Sequence, residues 1–476
     1  MTTEQQLPEG WKKTTLGAEF EWSSGGTPKS GVPAYYENGS IHWLNISDLN
    51  DGLISYAEKK ITELGLQESS AKIVPQGSVL IAIYGSIGKL GINTIPLATN
   101  QAICFTKKIP EYILNKFLFY YLLSIRNQLI SMGKGGTQQN ISQTVLKSVP
   151  FFYPTSKETQ QAIVNKIESL FDEIDEGIGR LKTAAQQIQQ YRQSLLKNAF
   201  NGELTKEWRS KHADALPSEN ELLAQIQTTR EQHHAQQLAD WQTAVSQWEQ
   251  NRKEGKKPSK PKSPTQAVKF EENVADLPSG WIWGKLSDLG ELARGKSKHR
   301  PRNDKKLFGG KYPFIQTGEV RAANRIIKKY EQTYSEFGLE QSKLWQKGTL
   351  CITIAANIAE TAFLGFDACF PDSIVGFSAS KAVLPEYIEL FIKSARTKIE
   401  SYAPATAQKN INLNTLENLI VPYCSLTEQN QIVAILENKL TACDQLAAEL
   451  AKQLKQAELL KQAVLKAAFS GNLLDK

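Results

Sequence analysis

The sequence predicts a mixed α/β (α+β) chain in which one plan is written twice: a globular domain and a long α-helix, then the same again, with the two helices forming an antiparallel coiled coil of pseudo-two-fold symmetry. Three observations predict it: an internal repeat about 270 residues apart, a helix of about 44 residues closing each copy, and an apolar stripe along both helices.

The repeat is legible in five places that keep one order. Leu7-Pro-Glu-Gly-Trp11 returns as Leu277-Pro-Ser-Gly-Trp281, and Gln76-Gly-Ser-Val-Leu-Ile-Ala-Ile83 as Lys347-Gly-Thr-Leu-Cys-Ile-Thr-Ile354. Pro110-Glu-Tyr-Ile113 returns as Pro385-Glu-Tyr-Ile388, with proline where a first helical turn tolerates it. Gln139-Asn-Ile141 is echoed by Lys409-Asn-Ile411, and Leu196-Lys-Asn-Ala-Phe-Asn-Gly202 by Leu465-Lys-Ala-Ala-Phe-Ser-Gly471. The domains expected are 1–154, a helix over 155–202, a helical segment with a Lys/Pro linker over 203–275, the second domain over 276–424 and its helix over 425–476.

Short apolar runs broken by Gly, Pro, Asn and Ser make each head strand-rich. The long helices start at capping boxes, Thr155-x-x-Glu158 and Ser425-x-x-Glu428, and stop at Gly202 and Gly471. Apolar positions three and four apart form the stripe: Ile163, Ile167, Leu170, Ile174, Ile178, Leu181, Ile188 and Leu195 on the first, Ile432, Leu436, Leu440, Leu450, Leu454 and Val464 on the second. Each rod needs a partner of its own length, which the other supplies. Between the repeats, Ser218-x-x-Glu221 opens a helix whose Leu238, Trp241, Val245 and Trp248 form a face for docking or for packing on the long rod, followed by a Lys/Pro run expected to be a flexible tether.

Composition excludes several classes. The longest apolar run, Phe117 to Leu123, is far short of the roughly 20 residues that span a bilayer, and the N-terminus has no signal pattern, so a cytoplasmic protein is expected. Five scattered cysteines and five scattered histidines offer neither a disulfide framework nor a metal site. Net charge is a modest +7, concentrated in the runs Arg252 to Lys262 and Arg294 to Lys306. The phosphate-loop pattern from Gly290 to Ser297 lacks a following helix, and the first repeat has no equivalent. Two repeats that differ at every would-be catalytic position point to recognition without chemistry.

The paired Leu-Pro-x-Gly-Trp openings, Gly85-Ser-Ile-Gly-Lys89, Ala98-Thr-Asn-Gln-Ala102, Gly136-Thr-Gln-Gln-Asn-Ile-Ser142, Glu428-Gln-Asn-Gln-Ile432, and Ala199-Phe-Asn-Gly-Glu-Leu-Thr205 with Trp208-Arg209 resemble the specificity subunit of Type I restriction-modification systems along essentially the whole chain. The resemblance implies two target-recognition domains that each read half of a split double-stranded DNA site, joined by the coiled coil. It implies as partners two modification (methyltransferase) subunits and the restriction/translocase subunits. S-adenosylmethionine, ATP and magnesium are then expected on those partners, and no cofactor, metal or catalytic residue in this chain. The second domain departs, with Thr353-Ile-Ala-Ala-Asn-Ile358 in place of the Gly-Ser-Ile-Gly-Lys run, as two domains reading different half-sites would.

Loops rich in small polar and basic residues approach phosphates and base edges, Asn and Gln pairing with adenine, Arg and Lys with guanine. With the resemblance, this nominates Thr27, Lys29, Ser86, Lys89, Gln101, Thr137, Gln138 and Asn140 in the first domain. In the second it nominates Lys296, Lys298, Arg300, Arg302, Gln316, Thr317, Asn357, Gln408 and Asn410. The rival reading is a coiled-coil adaptor whose two heads bind proteins and not DNA.

Overall fold

The computed structural model describes residues 8–134, 139–252, 257–261, 263, 276–403 and 410–474. The chain divides into two compact units, residues 1–185 with 448–476 and residues 186–447.

The first unit is built on a five-stranded sheet of β1 (Glu21–Ser24), β2 (Gly52–Ile54), β3 (Val79–Ala82), β4 (Leu90–Asn93) and β5 (Ile103–Lys108). Their order is β1-β5-β3-β4-β2, antiparallel throughout except for β2 beside β4. Strands β3 and β4 are wholly buried, and β3 accordingly reads as an unbroken apolar run. Helix α1 (Asn115–Ser124) covers them, burying Phe117, Leu118, Tyr121 and Leu122 with Val79, Ile81 and Ile92. Pro110 does not open this helix: the Ile113 N–H closes a turn on the Pro110 carbonyl, and the helix begins at Asn115.

Helix α2 (Lys157–Phe200) runs 44 residues. Its N-cap is Ser156, whose hydroxyl accepts from the Thr159 N–H at 3.1 Å, and not Thr155, whose hydroxyl instead donates to the Gly10 carbonyl. The expected box is one residue out of register because Thr and Ser stand side by side.

The second unit adds α3 (Glu219–Gln250), which does start at the expected Ser218 and Glu221 box. Its sheet has β6 (Gly290–Arg294), β7 (Ile326–Ile327), β8 (Leu350–Thr353), β9 (Thr361–Leu364) and β10 (Ile374–Ala379), in the order β6-β10-β8-β9-β7. That is the order of the first unit strand for strand. Helix α4 (Pro385–Ser401) carries Pro385 in its first turn, and α5 (Leu426–Phe469), again 44 residues, is N-capped by Ser425.

The two long helices pack antiparallel. In the first unit Ile163 and Ile167 are buried with Val464, with Leu170 and Ile174 beside them, and Lys461 pairs with Asp175 at 2.5 Å. In the second unit Leu195 is buried with Ile432 and Leu436 beside Leu440, and Arg192 pairs with Asp444. Ile178, Leu181, Ile188, Leu450 and Leu454 are half-buried. Arg192 and Lys461 fall in the gaps that the stripes leave between Ile188 and Leu195 and between Leu454 and Val464.

The repeated segments dock on one another. Phe469, closing the second helix, packs against Phe117 and Tyr121 at 5.2 and 5.3 Å, while Phe200, closing the first, packs against Tyr387 and Phe391 at 5.2 and 5.3 Å. Gly471 and Gly202 both adopt positive φ (83° and 80°) and approach the opening prolines so closely that a Cβ would lie 2.2 Å from Pro8 Cγ or Pro278 Cγ. Each helix end is therefore seated on the opening motif of the other repeat.

The insert between the repeats differs from expectation. Trp241 donates its indole N–H to the Pro258 carbonyl at 3.1 Å, and the Lys257 and Lys260 ammoniums lie 5.8 and 5.9 Å from the Trp248 and Trp241 rings. Residues 257–261 lie along α3 and cover its tryptophan face, because proline and lysine stems stack on indole better than on water. This stretch is thus no free tether, and that face meets this chain's own linker. Among the described residues no helix is long and apolar enough to cross a membrane.

Candidate nucleic-acid interface

In each head the nominated residues that are described gather at one end of the five-stranded sheet. The cause is topological: β1 and β3 end where the antiparallel β5 between them begins. The Gly25 N–H bonds the Ile103 carbonyl, and the Ile83 N–H bonds the Ala102 carbonyl at 2.9 Å. Thr27, Gln101 and the 84–89 loop thus leave three adjacent strand ends on the same edge. The Thr27 hydroxyl bonds the Gln101 side chain, and Tyr84 bridges Asn140 through the backbone. Thr27, Lys29, Ser86, Gln101 and Asn140 are exposed and Lys89 is half-buried; Thr137 and Gln138 lie outside the described residues.

The second head repeats the layout at the ends of β6, β10 and β8. Gly295 N–H bonds Ile374 carbonyl, Ile354 N–H bonds Ser373 carbonyl, and Ala355 bridges Asn410. Asn357 and Asn410 come together there, and Gln408 lies outside the described residues. The basic run is folded back on the head. Arg294 donates to the Asp372 carbonyl at 2.9 and 2.7 Å, Arg302 to both Asp372 carboxylate oxygens at 3.0 Å, and the Ser342 hydroxyl to the Lys296 carbonyl at 2.9 Å. Asp304 accepts from the Lys306 N–H and from His299, which hold its carboxyl below the usual range. Pinned at these points, the run leaves Lys296, Lys298, Arg300 and Arg302 exposed, with Arg300 donating to the Ser297 and His299 carbonyls at 2.6 and 2.9 Å and Arg302 paired with Asp372.

Gln316 forms a box with Glu319 at the N-terminus of the helix Thr317–Ala322, of which half-buried Thr317 is the first residue. Its counterpart in the first head is Asn45, boxed with Asp48 and accepting from Asn100, the residue before Gln101. Sequence reasoning nominates Gln316 and misses Asn45; the signal that could have found it is the repeat itself, since Asn45-x-x-Asp48 matches Gln316-x-x-Glu319 in spacing.

The loop that differs most in sequence is the same in backbone. In the first head Gly88 N–H bonds Ala82 carbonyl, Ala82 N–H bonds Lys89 carbonyl, and Ser86 N–H bonds Tyr84 carbonyl. In the second, Ala359, Thr353 and Asn357 make the same three bonds to Thr353, Glu360 and Ala355. Gly85 and Gly88 hold φ of 66° and 80°; Ala356 and Ala359 hold 63° and 60°. A side chain in that region costs about 1–2 kcal/mol. The Thr353 hydroxyl offsets it by accepting from the Glu360 N–H at 3.0 Å and donating to the Asn357 carbonyl. The charge that closes the loop is reversed, Lys89 against Glu360, and Glu360 is neutralised by Arg396 at 2.8 Å.

Among the described residues no group of three or more His, Cys, Asp or Glu is placed to hold a metal. The arrangement offers amides, hydroxyls and cations to a ligand with acceptors, donors and phosphates.

Comparison with known proteins agrees with this geometry. The family model described as the type I restriction modification DNA specificity domain matches twice, over residues 8–182 and 278–456. The chain is 28% identical over 236 residues to the type I restriction enzyme EcoBI specificity subunit of Escherichia coli, covering 48% of this chain and 49% of that one. It is 31% identical over 195 residues to the EcoR124I/EcoR124II specificity subunit of the same species, covering 39% and 47%. These matches span about half the length of each relative. The match to the EcoKI specificity subunit of E. coli K12 is 23% identical but covers 98% of this chain and 90% of that one. Among solved structures, the fold is shared with a chain from a study of complex assembly and conformational transition of the type I R-M system (TM-score 0.69, 17% identity, 98% and 99% covered). It is also shared with the HsdS subunit from Thermoanaerobacter tengcongensis (TM-score 0.54, 17% identity, 98% and 99% covered). With the domain match falling once on each of two heads built alike, the chain belongs to the type I restriction-modification DNA specificity family.

Proposed function

We propose that this chain is the DNA-recognition subunit of a type I restriction-modification complex, reading a split double-stranded target with one half-site at each strand-end cluster. It performs no catalytic step itself. Two modification subunits dock on it and methylate adenine with S-adenosylmethionine, and restriction subunits supply ATP- and magnesium-dependent translocation and cleavage. The observation that carries this reading is the pair of strand-end edges with one backbone and different side chains, which suits two readers of different half-sites. The adaptor alternative assigns no purpose to the exposed Lys296, Lys298 and Arg300 or to the Asn and Gln side chains at both edges.

The test is co-expression with the cognate modification subunit and mapping of adenine methylation across the host genome. Two short half-sites separated by a fixed gap are expected, and exchanging residues 8–154 for those of a relative should change one half alone. A soluble complex that leaves no new methylation would favour the adaptor. Neutralising Lys298 and Arg300 should lower the slope of log affinity against log salt by about one for each DNA phosphate that is no longer neutralised.

A further inference from the structure

Tyr84 stands in the middle of the first head's strand-end edge, and neither the sequence motifs nor the family assignment gives it a role. It is 44% exposed although it directly follows the buried β3 and Ile83. Its backbone is fixed from both sides by the bridge to Asn140, the Gly85 N–H to the Gln139 carbonyl at 3.1 Å, and the Ser86 N–H to its own carbonyl at 2.7 Å. A ring with two side-chain torsions on a fixed backbone is pre-organised, so it binds at little entropic cost. Around it stand Ser86, Gln101, Gln139 and Asn140, which offer hydrogen bonds and no apolar surface. The second head has the same loop with Ala355 at this position, so the backbone does not require the ring.

We propose that Tyr84 is a specificity-determining residue of the first head, its ring packing on the C5 methyl group of a thymine in the half-site that this head reads. The polar neighbours discriminate base pairs by donor and acceptor pattern, and only an apolar surface senses the thymine methyl. This rests on the DNA-recognition reading above.

The experiment uses the complex of the full chain with its modification subunit, and duplexes carrying the mapped target with each thymine of the first half-site replaced in turn by uracil. For the unsubstituted chain, one replacement should weaken binding about fourfold, the worth of one buried methyl group. Tyr84→Ala should abolish that difference while leaving the base preference of the second half-site unchanged, and Tyr84→Phe should retain it. The proposal is overturned if the half-site holds no thymine, if no uracil replacement matters, or if Tyr84→Ala keeps the fourfold difference. A complex that binds no split site at all would instead sink the DNA-recognition reading.

Discussion

The two units share a sheet order and a helix pairing, yet the contacts around their helix ends differ. In the second unit the Glu428 carboxylate, 1% exposed, accepts from Thr205 at 2.7 Å, Arg209 at 3.0 Å and the Trp281 indole at 2.9 Å, and Arg209 stacks on Trp281. This lock joins the segment after the first long helix, the opening of the second repeat and the start of the second long helix. In the first unit the position after the N-cap serine that matches Glu428 is Thr159. In the first unit Phe469 packs on Phe117 and Tyr121, and Gly471 on Pro8. Apolar contacts seat one helix end, and beside the other a buried carboxylate adds three directed hydrogen bonds.

Removing the lock should have the greatest consequence. Glu428→Ala leaves Arg209, Thr205 and Trp281 without their acceptor and should destabilise the second unit by about 3–5 kcal/mol, as removal of one partner from a buried pair does. Thr159→Ala should stay within about 0.5 kcal/mol. Denaturant titration with hydrogen exchange resolved by unit measures both, and equal shifts would show that the lock is dispensable.

A middle-sized effect separates the two loops. Thr353→Ala removes the hydroxyl that braces two left-handed alanines and should cost about 1–3 kcal/mol. Adding Ala356→Gly and Ala359→Gly should recover most of it, since glycine holds the same φ without strain. In the first head Gly88→Ala should destabilise by more than the reverse change gains, because its Cβ would lie 2.9 Å from Arg126 Cγ. Thermal melts of the four variants decide it; failure of the double glycine rescue would mean that the strain is carried elsewhere.

The mildest effect concerns the helices, where the two units agree. Asp175 pairs with Lys461 and Asp444 with Arg192, at matching positions of the repeat. The acidic partners are more than half exposed, so each pair is worth about 0.2–1 kcal/mol. Arg192→Leu and Lys461→Leu continue the apolar stripe and should be near neutral or slightly stabilising in the melting curve; a loss above about 2 kcal/mol would show that the ion pairs fix the register of the helices.

The features legible in the sequence are those that depend on near neighbours. The helix bounds, the Ser218 box and the terminal glycines follow from local capping, and the stripes follow from periodicity. Where local rules offer two candidates they fail: Thr155 or Ser156 as cap, Pro110 as helix start or turn. Of the interface, polar loops are visible as loops, and Ser86, Gln101, Asn140, Asn357 and Asn410 do lie at the strand ends. Asn45 and Tyr84 escape, because nothing local marks a cap residue or a single tyrosine as part of an edge.

That the chain is a duplication is encoded by matches about 270 residues apart, and that each copy ends in a helix of one length and which face of each helix is covered are encoded by period and spacing within a few turns of chain; the residues alone suffice to read them. Folding in three dimensions was needed to establish that each helix end seats on the other repeat's opening, that Thr27 meets Gln101 across 74 residues, and that Arg192 meets Asp444 across 252. Such pairings depend on strand order and on where the chain returns, which no local pattern of residues specifies.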